Sequence, residues 1–169
     1  GFFNWKAMAK KDYIKTGRIT IYASPPVKGK KYGKTTKAFR SLMGKAGVYR
    51  IFEGRKLVYI GCSISDIYKT VLRKFQIWND AQTRLFYNAN KHTYKVDAII
   101  MPSASYTEIL DTEYHLIKKA KPRDNKPENY SFYNRRDLYE PDEVEKEIKK
   151  ADIVKEDDLE FIDPKDIPF

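Results

Sequence analysis

The sequence predicts an α+β domain, and three observations predict it: two apolar runs joined by a short turn, two stretches with apolar residues at helical spacing, and a third strand-like run between them. Gly47-Val48-Tyr49-Arg50-Ile51-Phe52 and Leu57-Val58-Tyr59-Ile60-Gly61 flank Glu53-Gly54-Arg55-Lys56, the pattern of a β-hairpin. Ser65 can cap a helix running to about Trp78, with Ile67, Val71, Phe75 and Trp78 as its buried stripe and Lys69, Arg73 and Gln76 opposite. Tyr94–Met101 reads as the third strand, with Val96 and Ala98 on one face and Pro102 as its stop. The capping box Ser105-Tyr106-Thr107-Glu108 opens a second helix that runs to about Ala120, before Lys121-Pro122. The expected core, residues 47–130, is a three-stranded antiparallel sheet flanked by helices.

Residues 1–46 form a basic N-terminal arm and residues 131–169 an acidic C-terminal extension. The arm has twelve Lys/Arg against one acid, the core fourteen against nine, and the extension seven against thirteen, within a chain of net charge +10. A basic front half suits a polyanion, most simply nucleic acid, and a solvated basic surface is the plain alternative. The arm contains a strand-like piece, Arg18–Ala23, a Ser24-Pro25-Pro26 breaker and a short helix over 35–43 stopped by Gly44. Between them, Lys28, Lys30, Lys31 and Lys34 around Tyr32 suit phosphate contacts with stacking, or equally a solvated loop with no core. The extension carries a helix from Pro141, with Val144 and Ile148 on one side, and then an extended acidic run that can engage a protein partner.

One cysteine, Cys62, excludes a disulfide framework and a four-cysteine zinc site. No run approaches the length of a membrane span and no secretory signal is visible, so no membrane partner is expected and the expected location is the cytoplasm, a host's if the chain is phage-encoded. His92 and His115 read as exposed surface residues.

Glu113 breaks the pattern of its helix. With Tyr106 at zero, Ile109, Leu110, Leu116, Ile117 and Ala120 fall within an arc of about 120°, and Glu113 lands near its middle. Asp111, His115, Lys118 and Lys119 lie on the other side. A carboxylate facing a core is costly unless it is paired, reaches past the edge of the sheet, or serves a metal or proton transfer. One carboxylate completed by waters and a phosphate is a normal Mg²⁺ shell. Arg73, with Lys69 one turn away, can supply positive charge to a phosphoryl transition state or can be an ordinary exposed helix arginine.

Two tyrosines ten residues apart in a hairpin, an arginine on the next helix, a glutamate on a later one and an asparagine after Lys121-Pro122 form an ordered set. With Gly47-Val48-Tyr49 and Tyr59-Ile60-Gly61, the set resembles the GIY-YIG nuclease family, which includes homing endonucleases, some restriction enzymes and the first-incision domain of bacterial excision-repair nucleases. The resemblance covers Gly47 to Asn125, about half the chain; the arm and the extension lie outside it. It implies a small GIY-YIG-like core with Tyr49 and Tyr59 as the motif tyrosines, Arg73 as the helix arginine, Glu113 as the metal-binding glutamate and Asn125 as the asparagine. Many members carry the arginine about ten residues past the second tyrosine, where this chain has Lys69; Arg73 fits a subgroup with a longer loop before the helix. Lys74 then stands where that subgroup has a histidine, which removes any role needing an imidazole.

The resemblance implies a DNA endonuclease that hydrolyses phosphodiester bonds with one divalent metal, Mg²⁺ or Mn²⁺, leaving a 5′-phosphate and a 3′-hydroxyl, in a phage, a mobile element or a restriction system. Glu113 would hold the metal, Arg73 would donate to the phosphate, and Tyr49, Tyr59 or Lys69 would orient or deprotonate water. A phenol with a pKa near 10 needs that value lowered to act as a base. Without the resemblance, both tyrosines read as sheet-packing residues. Lys74 and Arg84 extend the DNA surface. A noncatalytic DNA-binding or assembly module that keeps the fold is the alternative, and a basic RNA-binding protein is a third reading.

Overall fold

The computed structural model describes residues 13–23, 33–76, 85–126 and 140–154. The expected hairpin is present as β3 (Gly47–Glu53) and β4 (Lys56–Ser63), with Gly54 at φ +60° in its turn. A left-handed residue is what a tight hairpin turn asks of glycine. Register runs from Gly47 opposite Ser63 to Glu53 opposite Lys56, with a shift between Ile51 and Phe52. β5 (Tyr94–Ile100) pairs antiparallel along the other side of β3.

The three-stranded expectation is half of the sheet. Among the described residues six strands are present, in the order β4-β3-β5-β1-β6 with β2 also on β5. β1 (Ile14–Thr16) and β2 (Ile19–Thr20) both run antiparallel to β5, while β6 (Asp152–Val154) runs parallel to β1. The physical reason is accounting: β5 is apolar and buried, and its second edge would leave unpaired N–H and C=O groups inside the protein. The arm supplies those partners through β1 and β2, and β6, after the tail helix, pairs with β1, so both regions contribute strands to the same sheet.

Both faces of the central strands are covered, which is why β3 and β5 read as nearly continuous apolar runs. One face packs against α1 (Lys37–Arg40) and α2 (Ile67–Leu72), with Phe39, Leu42, Ile51, Ile67, Val71 and Phe75 in a common core that takes Ile14, Ile19 and Ile21 from the arm. The other face packs Val48, Ile60, Ile99 and Met101 against Ile109 and Ile117 of α3 (Tyr106–Ala120). α1 lies within the expected helix over 35–43, capped by Thr36 and followed by Gly44 at φ +70°.

Two helix expectations are corrected. α2 is capped by Asp66 in place of Ser65 and ends at a 3₁₀ turn, Arg73–Phe75, well before Trp78, which lies outside the described residues. An aspartate at the cap outcompetes the serine before it because its carboxylate also favours the positive helix end. On α3, Ser105 and Glu108 make the capping box and Lys121 closes the helix at φ +47°, but Tyr106 is exposed and Ala120 is outside the core. Both sit at the ends of the helix.

His115 is also not an exposed residue. α4 (Pro141–Lys150), the expected tail helix, lies against α3, and Glu145 bonds both His115 and Lys119 there. Among the described residues, no helix is long and apolar enough to cross a membrane.

Candidate active site

β4 is the outermost strand on its side of the sheet, and Tyr59 and Gly61 on it meet Asn125 at that edge. The segment after α3 returns along it. The Asp124 N–H donates to the Val58 carbonyl at 2.9 Å; Asn125 accepts from the Ile60 N–H through Oδ1 at 2.8 Å and donates to the Ile60 carbonyl through Nδ2 at 2.9 Å. One side-chain amide thus completes both hydrogen bonds that a neighbouring strand would make. Asn125 closes the edge at Ile60, next to Gly61.

Gly61 explains the second motif. A Cβ on it would stand 2.4 Å from Tyr49 Oη and 2.8 Å from Tyr59 Cε1, so both rings close over a strand position that has no side chain. The two rings lie 6.2 Å apart between centroids. Gly47, in the first motif, has φ +148°, and a Cβ there would meet the Ile99 carbonyl oxygen at 2.0 Å. The two glycines therefore serve different purposes: Gly47 allows two backbones to approach, and Gly61 makes room for a tyrosine.

The tyrosines are not equivalent. Tyr49 is 1% exposed within the core on the α2 side, whereas Tyr59 is half-buried. Lys74 from the 3₁₀ turn places its ammonium 4.6 Å from the Tyr59 ring centre, an attractive cation–π contact. Glu113 reaches the strand from the α3 side. It is 4% exposed, hydrogen-bonds the thiol of Cys62, the neighbour of Gly61, and lies close enough to both tyrosines for its charge to act on them.

Burial, then that charge and its neighbours, push the Tyr59 phenol up; burial, then Tyr59 and Glu113, push the Tyr49 phenol well up. Burial and Glu113 also raise the Cys62 thiol, which is therefore a neutral thiol and no nucleophile. Both phenols are hydrogen-bond donors at neutral pH, so the protein by itself does not make either one a base. The donor set suits a hard cation taking one protein ligand: Glu113 is a carboxylate, and the half-buried Tyr59 phenol can hold water or phosphate oxygen, while Tyr49 is enclosed in the core. Among the described residues no cluster of three His, Cys, Asp or Glu side chains adds to it.

Arg73 and Lys69 are exposed on the outer side of α2 and its 3₁₀ extension, as the periodicity implies. Lys34 is exposed beside the isolated bridge between Tyr22 and Thr35. Lys28, Lys30, Lys31 and Arg84 lie outside the described residues.

Two features escaped sequence reasoning. Lys45, just before β3, is fully buried; its Nζ donates to the Ser41 carbonyl, and burial, partly offset by Asp66, lowers its pKa to about 7. No periodicity marks a lysine in a turn as buried. A second network ties the hairpin turn to the returning segment: Arg123 bridges Glu53 and Asp124, while Tyr94 donates to Glu53 and Tyr87 to Asp124. Apart from the neighbours Arg123 and Asp124, its members are far apart in sequence, so only the fold brings them together.

Comparisons of the chain with protein-family models, with curated proteins and with solved structures gave no match.

Proposed function

We propose that this chain is a metal-dependent DNA endonuclease that hydrolyses phosphodiester bonds to a 5′-phosphate and a 3′-hydroxyl. The observation that carries the reading is the buried carboxylate of Glu113 beside Tyr59 and Cys62 at the edge of β4, where Gly61 leaves room for the tyrosine rings. A carboxylate is seldom kept out of water without a use for its charge. Glu113 would hold a divalent cation such as Mg²⁺, or Mn²⁺ in its place, and when bound it would supply charge neutralisation at a phosphate oxygen and assistance to the leaving 3′-oxygen.

The chain's own groups then divide the work. Glu113 supplies the anionic ligand. Tyr59, the accessible phenol, donates a hydrogen bond that orients water or a phosphate oxygen, and Tyr49 holds the Tyr59 ring in place from the core. Arg73 donates to the phosphate as negative charge accumulates, and Lys74 adds a second cation against Tyr59. Asn125 and Gly61 position the strand edge. Lys28, Lys30, Lys31, Lys34 and Arg84 contact phosphates away from the reacting bond, and the acidic extension is a candidate surface for a protein partner.

A noncatalytic DNA-binding module of the same fold is the second reading, favoured by the upward shift of both phenols, which leaves no ready base in the protein. Incubation of supercoiled and single-stranded DNA with Mg²⁺ or Mn²⁺ separates the two readings. The nuclease reading predicts nicked or linear products whose ends are substrates for ligase, and a loss of about 10²-fold or more for Arg73→Ala. Intact DNA across substrates and metals, with binding retained, leaves the module.

A further inference from the structure

A cleft of about 280 Å³, lined by Tyr22, Gly33, Thr35, Tyr68, Leu72 and Gln76, lies between the Tyr22–Thr35 bridge of the arm and the α2 face that carries Tyr68 and Leu72. Two of its walls are aromatic and held by the core beneath. Tyr22 packs edge-on against Phe75 at 5.3 Å, and Tyr68 lies tilted on Phe39 at 4.7 Å. Both rings are half-buried, so what they leave uncovered borders the cleft. Thr35 Oγ1 and Tyr68 Oη share a hydrogen bond at 3.3 Å, and the Gln76 side chain is exposed at the end of the 3₁₀ turn. Hydroxyl and amide groups that both donate and accept are therefore set beside two fixed rings.

Exposed cations alternate in sequence with the lining residues. Lys34 sits between the lining residues Gly33 and Thr35, Lys69 follows Tyr68, and Arg73 follows Leu72; all three are exposed. Of these, Arg73 is the residue assigned above to the scissile phosphate. Phosphate-binding charge at the margin, aromatic faces inside and exchangeable hydrogen-bonding groups at the end form the pattern with which proteins take hold of a single unstacked base.

We propose that this cleft binds one unstacked nucleobase of a DNA strand, next to the phosphate that Arg73 engages. The proposal rests on the nucleic-acid reading above and deepens it: the substrate strand is gripped by a base as well as by its phosphates. Stacking faces every base alike, so the grip adds affinity with little sequence preference. The rings are already ordered by Phe39 and Phe75, and little rotamer freedom is lost when a base enters.

The test compares binding of an oligothymidine with binding of an abasic oligomer of equal length and phosphate count, by fluorescence anisotropy in EDTA. Wild type is expected to prefer the oligothymidine by about tenfold. Tyr22→Leu and Tyr68→Leu, which keep apolar bulk on Phe75 and Phe39, are expected to lose most of that preference while holding the abasic oligomer as wild type does. Tyr68→Phe keeps the ring and is expected to keep the preference. Equal wild-type binding of the two oligomers overturns the proposal, and so does a full preference in leucine variants that melt like wild type. The wild-type comparison stands even where a variant does not fold. Metal-dependent cleavage is read separately on the same preparations: cleavage without base preference removes the pocket alone, and base preference without cleavage removes the nuclease reading alone.

Discussion

Replacing Gly61 with alanine tests how the hairpin motif is built. The added Cβ would stand 2.4 Å from Tyr49 Oη, 2.5 Å from Tyr49 Cζ and 2.8 Å from Tyr59 Cε1. Tyr59 can move toward solvent, but Tyr49 is enclosed in the core with Ile51, Val58 and Val71. Accommodation therefore displaces a buried ring or bends β4, at about 1–3 kcal/mol for overpacking of this kind. For a chain of this length that is a fall in melting temperature of about 2–12 °C. Gly47→Ala should cost more, because it meets the Ile99 backbone at 2.0 Å and holds φ at +148°. Gly54→Ala, at φ +60° with nothing within 4 Å, should cost only the left-handed conformation, about 1–2 kcal/mol. Gly17→Ala, with open space and no positive φ, is the control and should be neutral or slightly stabilising. Calorimetric melts of the four variants give the order. Combining Gly61→Ala with Tyr49→Phe removes the nearest clashing atom, so the double variant should lose less than the sum of the singles. If Gly61→Ala melts within a degree of Gly17→Ala, the tyrosine does not close over the strand and the account of the motif is wrong.

Other outcomes follow from the charged groups. Hydrogen bonds from Arg123 and Tyr94 hold Glu53 below its ordinary value; at Asp124 burial acts upward, but the bonds from Arg123 and Tyr87 outweigh it and the net shift is downward. Stability from this network is therefore fully present above the unfolded carboxylate range near pH 4 and is lost as pH falls through the folded values. Melting scans from pH 7 to pH 3 should show that loss, and Arg123→Ala, 40% exposed in its side chain, should flatten it at a neutral-pH cost of no more than about 1 kcal/mol; an unchanged acid limb contradicts the assignment. Lys45, lowered to about 7 by burial, binds its proton more weakly folded than unfolded. Stability should consequently rise between pH 7 and about pH 10, by at most about 1.4 kcal/mol per pH unit, and Lys45→Met should remove that rise; equal slopes in the two proteins would show that the lysine is solvated. Changing Lys28, Lys30, Lys31 and Lys34 to glutamine should weaken DNA binding and lower the salt slope by up to about 0.9 for each phosphate no longer neutralised; an unchanged slope removes these lysines from the interface. Deleting residues 1–34 is not an equivalent test, because it also removes Ile14, Ile19 and Ile21 from the core.

How much of this was legible depends on length and period. β3, β4, β5 and α3 are long enough for alternation or a stripe to appear, and their ends fall within a residue or two of the expected positions. β1, β2 and β6 have three, two and three residues, too few for any period, and they are recruited by the open edge of β5 and by one another. That recruitment is a tertiary effect, and it is why the sheet was underestimated. At the site, Glu113 was visible because one acid interrupts an apolar stripe, and burial bears that out. The roles of the glycines and of Asn125 were not visible, since an asparagine that satisfies Ile60 from 65 residues away leaves no local trace. The difference between Tyr49 and Tyr59 was equally hidden: it comes from one being enclosed by the core while the other lies under Lys74 near the sheet's edge.

The central claim is that Glu113 serves DNA hydrolysis through a divalent cation. Its most direct test is the single-turnover cleavage rate of labelled DNA in Mg²⁺ for wild type and for Glu113→Gln, with folding checked by melting and DNA affinity measured in EDTA. The account predicts metal-dependent cleavage by wild type, abolished in a folded Glu113→Gln variant that binds DNA as well as wild type does. Cleavage by Glu113→Gln at the wild-type rate would contradict it, as would a wild-type protein that binds DNA and never cuts.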